Sequence, residues 1–97
     1  MEKVAKLSKL KEKMCISVKG KELALFKIED KIYCIDNICP HAGGPLCGGE
    51  LEGKIVVCPW HSSKFDVTNG KVKSPPAKQN VRSYKVTVKE EDIFVEI

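Results

Sequence analysis

The sequence predicts an all-β chain, and three observations carry that reading. Short apolar runs rich in β-branched residues recur from Met14 to the C-terminal end, each cut off by a charged or Gly-containing turn. Tyr84 to Val88 alternates, with Tyr84, Val86 and Val88 on one face and Lys85 and Thr87 on the other. Between the early and late runs, residues 39–49 hold Cys39, Pro40, Gly43, Gly44, Pro45, Gly48 and Gly49. No strand or helix survives that density of Gly and Pro, so this stretch is expected to be a loop. Its backbone can approach another group closely.

Val4, Ala5 and Leu7 suit a short edge strand, with five lysines (Lys3, Lys6, Lys9, Lys11, Lys13) of the kind that protect an edge. Ser8 to Glu12 reads as a turn or a single helical turn. Cys15 to Val18 is a strand, and Lys19-Gly20-Lys21 turns the chain. Glu22 to Ile28 is apolar on both faces at Leu23, Ala24, Leu25 and Phe26, which places it centrally. Glu29-Asp30 makes a tight hairpin, and Lys31 to Ile35 returns. Asp36-Asn37 then leads into the loop. Glu50-Leu51 and Lys54 to Val57 form a hairpin around Glu52-Gly53 that delivers Cys58. Phe65 to Val67 and Lys71-Val72 form another, with Asn69-Gly70 as its turn signal. After a loop over residues 73–80 come the strand Tyr84 to Val88 and a last strand, Ile93 to Ile97.

With 97 residues and no dividing linker, residues 1–97 are expected to form one domain. A chain of this size buries roughly 60–68% of its unfolded surface, so its core is modest. Lys and Arg number 17 against 13 Asp and Glu, a net charge of +4 that is dispersed along the chain. There is no long basic run and no basic stripe interleaved with aromatics, so no nucleic-acid partner is expected. No apolar run reaches the length of a membrane span. Met1-Glu2-Lys3-Val4 lacks the apolar core of a signal peptide, so a cytoplasmic protein is expected. Five cysteines, in a reducing compartment, argue against a disulfide framework and for metal ligands plus free thiols. Cys15 and Cys34 lie in strand runs and are expected to behave as small buried hydrophobes. Cys47 is expected to pack in the same way, a reserve or redox-sensitive thiol being the alternative.

The chemistry gathers in two short segments, Cys39-Pro40-His41 and Cys58-Pro59-Trp60-His61. Both histidines of the chain are spent here. Thiolates suit iron–sulfur clusters, zinc and cuprous ions, and imidazole suits zinc, copper and iron. Cys39, His41, Cys58 and His61 are therefore the candidate metal ligands. The pattern is the Cys₂His₂ variant of a [2Fe–2S] site, in which two histidines replace two cysteines on one iron. Two neutral imidazoles in place of two thiolates raise the charge of the oxidised cluster from −2 to 0. An electron is then easier to add. The potential rises to roughly −150 to +300 mV, against about −400 mV for the all-cysteine plant-type clusters.

These halves, with Gly43-Gly44-Pro45-Leu46, the run Cys58 to Asp66, Asn69-Gly70 and Pro75-Pro76-Ala77, resemble Rieske-type ferredoxins over nearly the whole chain. The resemblance implies a Rieske-like fold of three small antiparallel sheets, with a cluster-binding subdomain of two hairpin loops over about residues 37–76. It implies that Cys39 and Cys58 hold the buried iron, and that His41 and His61 hold the outer iron near solvent. It further implies that Pro75-Pro76 covers one side of the cluster. High-potential members carry an extra cysteine in each loop, paired as a disulfide; the matching places here are Gly44 and Trp60. Trp60 is expected to pack the loops together in its stead, a partner-docking anchor being the alternative. Such members also carry a serine and a tyrosine whose hydroxyls donate to cluster and ligand sulfur. Ser63 matches the serine, whereas Phe65 stands at the tyrosine's place without a hydroxyl, which implies a potential in the lower part of the range. Ser62 stands where the family usually has glycine, which bears on the local backbone angle.

The resulting expectation is a one-electron carrier and not an enzyme, passing electrons from a reductase to an acceptor such as an oxygenase. A Rieske oxygenase also needs a mononuclear iron held by two further histidines and a carboxylate, and this chain has no third histidine. Two alternatives stand beside it. One is the small subunit of a larger reductase, since the nitrite reductase small subunit resembles this fold. The other is a structural zinc module, although the one-residue gap in Cys39-Pro40-His41 is short for zinc.

Overall fold

The computed structural model describes residues 1–41, 43–60 and 62–97. Eleven strands are named among them. β1 (Glu2–Lys6) leads through a 3₁₀ turn at Leu7–Lys9 to β2 (Lys13–Val18), β3 (Lys21–Ile28) and β4 (Lys31–Asp36). A second 3₁₀ turn at Leu46–Gly48 follows the first cysteine loop. β5 (Glu50–Glu52) and β6 (Ile55–Val57) form a hairpin before the second loop, and β7 (Lys64–Asp66) and β8 (Val72–Ser74) form one after it. β9 (Ser83–Tyr84), β10 (Val86–Lys89) and β11 (Asp92–Val95) complete the chain. They make three antiparallel sheets, ordered β1-β11-β10, β2-β3-β4-β9 and β5-β6-β7-β8.

β3 shows why a run apolar on both faces is central. Its residues alternate between two cores. Ala24 and Phe26 join Ile35, Leu46, Phe65, Val67 and the thiols of Cys39 and Cys58. Leu23 and Leu25 join Leu10, Cys34, Ile93 and Val95. Neither face can be polar, because each covers a different sheet. A fully buried Leu or Phe contributes about 1.5–3 kcal/mol. β3 and its partner β4 thus weld the cysteine-bearing end to the three-stranded sheet.

Several expectations are corrected. Tyr84 to Val88 is not one strand. Tyr84 pairs with Cys34 of β4, whereas Val86 pairs with Val95 of β11, so the chain changes sheet at Lys85. Alternation reports which face a residue shares, and it carries no information about partners. The loop 39–49 is not wholly irregular, since Leu46–Gly48 makes a 3₁₀ turn. Asn69-Gly70 is not a two-residue hairpin turn either. The β7–β8 connection is longer, and the buried Asp66 organises it. The Thr68 N–H and hydroxyl donate to Asp66 Oδ1 at 2.9 and 2.6 Å, and the Gly70 N–H donates to the Asp66 carbonyl at 2.7 Å. Asn69 adds an Asx turn, accepting the Lys71 N–H at 2.9 Å.

The cysteine expectation also fails for one pair. Cys15 and Cys47 form a disulfide across a Cα–Cα distance of 5.3 Å. Cys15 is an exposed residue of β2 rather than a buried hydrophobe, and Cys47 is buried in the turn after the first loop. A separation of 32 residues hides the pair, because only the packing of that turn against β2 brings them together. A loop of that size gives a cross-link worth about 3–4 kcal/mol in the chain-entropy account. Cys34 behaves as expected: it is buried, and burial, helped by the Asp36 carboxylate, pushes its thiol up to about 12.

Asp66 sets an acid limit on this fold. Burial alone would raise its carboxyl, but the Thr68 hydroxyl and N–H, with Lys54 at 3.5 Å, outweigh burial and hold it below the usual value. A depressed carboxyl contributes stability above its unfolded value of about 3.9 and loses it as pH falls further. Asp66→Ala should cost about 1–3 kcal/mol near neutral pH by leaving the Thr68 N–H unpaired. It should also flatten the loss of stability below about pH 4. Thermal melts from neutral to acid pH check both effects, with Asp66→Asn, which retains an acceptor, falling between.

Candidate metal centre

Both cysteine loops are closed by the same device. The Cys39 N–H donates to the Gly44 carbonyl at 2.9 Å, and the Cys58 N–H donates to the Ser63 carbonyl at 2.7 Å. In each case the partner lies five residues on. In each case the residue before that partner is left-handed, Gly43 with φ +80° and Ser62 with φ +63°. The backbone of each loop is thereby folded over its own cysteine. Glycine adopts this conformation freely, whereas an L-residue is strained there by roughly 1–2 kcal/mol. The second loop accepts that cost at Ser62, the position where the family pattern has glycine.

The first loop is further pinned at its foot. Ile38 and Pro45 form a bridge. The Leu46 N–H donates to the Asn37 carbonyl at 2.7 Å, and the Cys47 N–H donates to Asn37 Oδ1 at 2.7 Å. The Asn37 N–H in turn donates to the Glu22 carbonyl at 2.9 Å. Asn37 therefore joins the loop to β3. In the sequence it reads as a turn residue only, since nothing local marks a buried carboxamide.

The second loop is tied to the Pro75-Pro76-Ala77 segment. The fully buried Ser63 hydroxyl accepts the Ala77 N–H at 2.9 Å, which leaves its own proton to donate elsewhere. Phe65 is also fully buried.

The two thiols meet. Cys39 and Cys58 are each 1% exposed and lie within hydrogen-bonding reach of one another. Burial pushes the Cys58 thiol up, the Trp60 N–H opposes that shift, and Cys39 adds to it. Gly44 shows how tightly the loops converge. A Cβ there would sit 2.9 Å from Cys58 Sγ and 3.0 Å from Trp60 Cγ. The inner atoms of Trp60 thus lie on Gly44, although half of its surface stays exposed. His41 is exposed and borders a cleft of about 570 Å³ with Pro40, Pro75, Pro76, Lys78 and Gln79. His61, the fourth expected ligand, lies outside the described residues. Among the described residues no three His, Cys, Asp or Glu side chains gather as a metal shell, so the structure shows the thiol pair and not the full set.

A protein of known class shares this architecture. The model of the Rieske [2Fe-2S] domain matches residues 1–85. The ferredoxin component of the naphthalene 1,2-dioxygenase system of Pseudomonas putida is 38% identical over 82 residues, which span 84% of this chain and 79% of the relative. The ferredoxin of carbazole 1,9a-dioxygenase from Nocardioides aromaticivorans IC177 superposes with a TM-score of 0.92 at 33% identity, covering 97% of this chain and 94% of that one. A chain from the complex of reduced oxygenase and oxidised ferredoxin in carbazole 1,9a-dioxygenase superposes with a TM-score of 0.91 at 28% identity, covering 98% and 100%. The chain belongs to the Rieske [2Fe-2S] domain family. It is a ferredoxin of that family, an electron carrier rather than an enzyme, and its cofactor is a Rieske-type [2Fe–2S] cluster. The donor set fits that group: two paired buried thiols on loops folded back over them, with an imidazole on the solvent side.

Substitutions at two positions test this geometry. Gly44→Ala should drive its methyl into Cys58 Sγ and Trp60, cost about 1–3 kcal/mol, and lower the iron and acid-labile sulfide retained per chain. Ser62→Gly should leave stability unchanged or raise it by up to about 1 kcal/mol, while Ser62→Ile should lower it by on the order of 1–2 kcal/mol. Thermal melts and iron analysis of the purified proteins give both answers.

Proposed function

We propose that Cys39 and Cys58 hold the inner iron of the cluster and that His41 and His61 hold the outer one. On this reading residues 1–97 form one domain, with about residues 37–76 as its cluster-binding part, and the protein works in the cytoplasm. The observation that carries the proposal is the matched pair of loops, each closed five residues on by its own cysteine N–H and each presenting a buried thiol to the other. The first loop carries its histidine one residue past its cysteine's neighbour, Cys39-Pro40-His41, and the second one residue further, Cys58-Pro59-Trp60-His61, which matches the mixed set of a Rieske centre. Among the described residues, no helix is long and apolar enough to cross a membrane.

The cluster supplies a one-electron couple, and the protein's part is to hold it near solvent on one side only. Cys39, Cys58, Ser63 and Phe65 are buried, whereas Pro40, His41 and Trp60 are exposed. Electrons therefore enter and leave past His41. Ile38 and Trp60, each about half exposed at 49% and 50%, give this end an apolar rim that suits a protein partner. The relatives serve dioxygenase systems, and one similar chain comes from a ferredoxin–oxygenase complex. The proposed partners are a reductase that loads the electron and an oxygenase that takes it.

Electron paramagnetic resonance on the dithionite-reduced protein tests this, with iron and sulfide counted on the same sample. The expected result is a rhombic signal with an average g below that of the free electron and about two irons and two sulfides per chain. The potential should fall in the lower half of roughly −150 to +300 mV, because Phe65 offers no hydroxyl to the ligand sulfur. His41→Ala should lose the cluster or its signal. A colourless protein with one zinc and no sulfide would overturn the reading.

A further inference from the structure

The Cys15–Cys47 disulfide stands outside the proposed ligand set, yet it grips the element that carries half of that set. Cys47 sits in the Leu46–Gly48 turn, directly after the first ligand loop, where its N–H donates to Asn37 Oδ1 and the Leu46 N–H donates to the Asn37 carbonyl. Cys15 sits in β2, which ends the four-stranded sheet order β2-β3-β4-β9. The bond therefore joins the foot of the ligand loop to the border strand of the base sheet. Its two ends differ in access. Cys15 belongs to the exposed side of β2, and Cys47 is only 5% exposed.

We propose that Cys15–Cys47 is a thiol–disulfide exchange site that latches the first ligand loop, with a dithiol as its reductant. This rests on the cluster reading above. A reductant thiolate reaches the exposed end and attacks Cys15 Sγ. The Cys15–Cys47 bond breaks, and Cys47 leaves as a thiolate that takes up a proton. The reductant's second thiolate then attacks the mixed disulfide and releases Cys15 as a thiol. One protein disulfide becomes two thiols while one dithiol becomes a disulfide, so two electrons and two protons are transferred. The cluster is a one-electron couple and does not supply that pair.

With the latch open, Asn37 and the Ile38–Pro45 bridge still hold the loop's foot, but the covalent tie to β2 is gone. The loop then samples open states more often, and it loses its cluster faster. With the latch closed, the cluster is retained. Cys34 takes no part, being buried with its thiol held protonated.

The test uses the holoprotein, with dithiothreitol as the dithiol. Samples taken before and after treatment are denatured, alkylated with iodoacetamide and weighed by mass spectrometry. Three modified cysteines are expected before reduction (Cys34, Cys39 and Cys58) and all five after it. The rate of cluster bleaching under a chelator is then compared. Reduced protein should bleach roughly 5- to 30-fold faster. Cys15→Ser should bleach at that faster rate without dithiothreitol and show no further response to it, which separates opening of the latch from attack on the cluster itself. Its Tm should fall by roughly 10–20 °C. Five modified cysteines in the untreated protein, or equal bleaching rates in all three samples, would overturn the latch. A sample without iron and sulfide would instead overturn the cluster reading, and the thiol count and Tm would still decide whether the latch closes.

Discussion

The site depends on one hydrogen bond made twice. The amide of each proposed ligand cysteine reaches forward to the carbonyl five residues on, Cys39 to Gly44 and Cys58 to Ser63. Each bond is accompanied by a left-handed residue just before its acceptor, Gly43 and Ser62. Without that closure each loop would be a tether of uncertain shape. With it, each loop is a compact cup, and the two cups face one another with their thiols in reach. A redox centre gains from such rigidity, because a site that does not rearrange adds little barrier to electron transfer.

The rest of the fold holds the cups in register. β6 runs into Cys58, and β7 leads away from Ser63, so one sheet carries the second loop. The first loop hangs from β4 through Asn37 and is anchored to β2 by the disulfide. β3 binds these parts, since its alternate residues fill the core under the thiols and the core under the three-stranded sheet. Gly44 is where the two loops touch. Trp60 covers it, so packing joins the two loops there.

A different covalent bridge is present, and it joins other partners. Linking the two loops to each other would stiffen the cluster's own cage. Linking the first loop to the base sheet instead restrains how far that loop can leave the second, and it leaves the cage to packing and hydrogen bonds.

Much of this was legible in the sequence. The proposed ligands Cys39, His41, Cys58 and His61 are read from residue type and spacing, because ligand chemistry is a local property. The centrality of β3 follows from Leu23, Ala24, Leu25 and Phe26, because two-sided burial leaves its mark on every residue. Gly20 and Gly53 marked the β2–β3 and β5–β6 turns, whereas Asn69-Gly70 marked a connection longer than the hairpin turn it suggests. Only the tertiary structure decided what depends on partners distant in the chain. It split Tyr84 to Val88 between two sheets, since alternation records a face and not a neighbour. It gave Asn37 and Asp66 their roles, since a buried polar group is defined by the amides that come to it. It joined Cys15 to Cys47, since a pairing across 32 residues is set by the packing of a turn on a strand and by nothing in either segment alone.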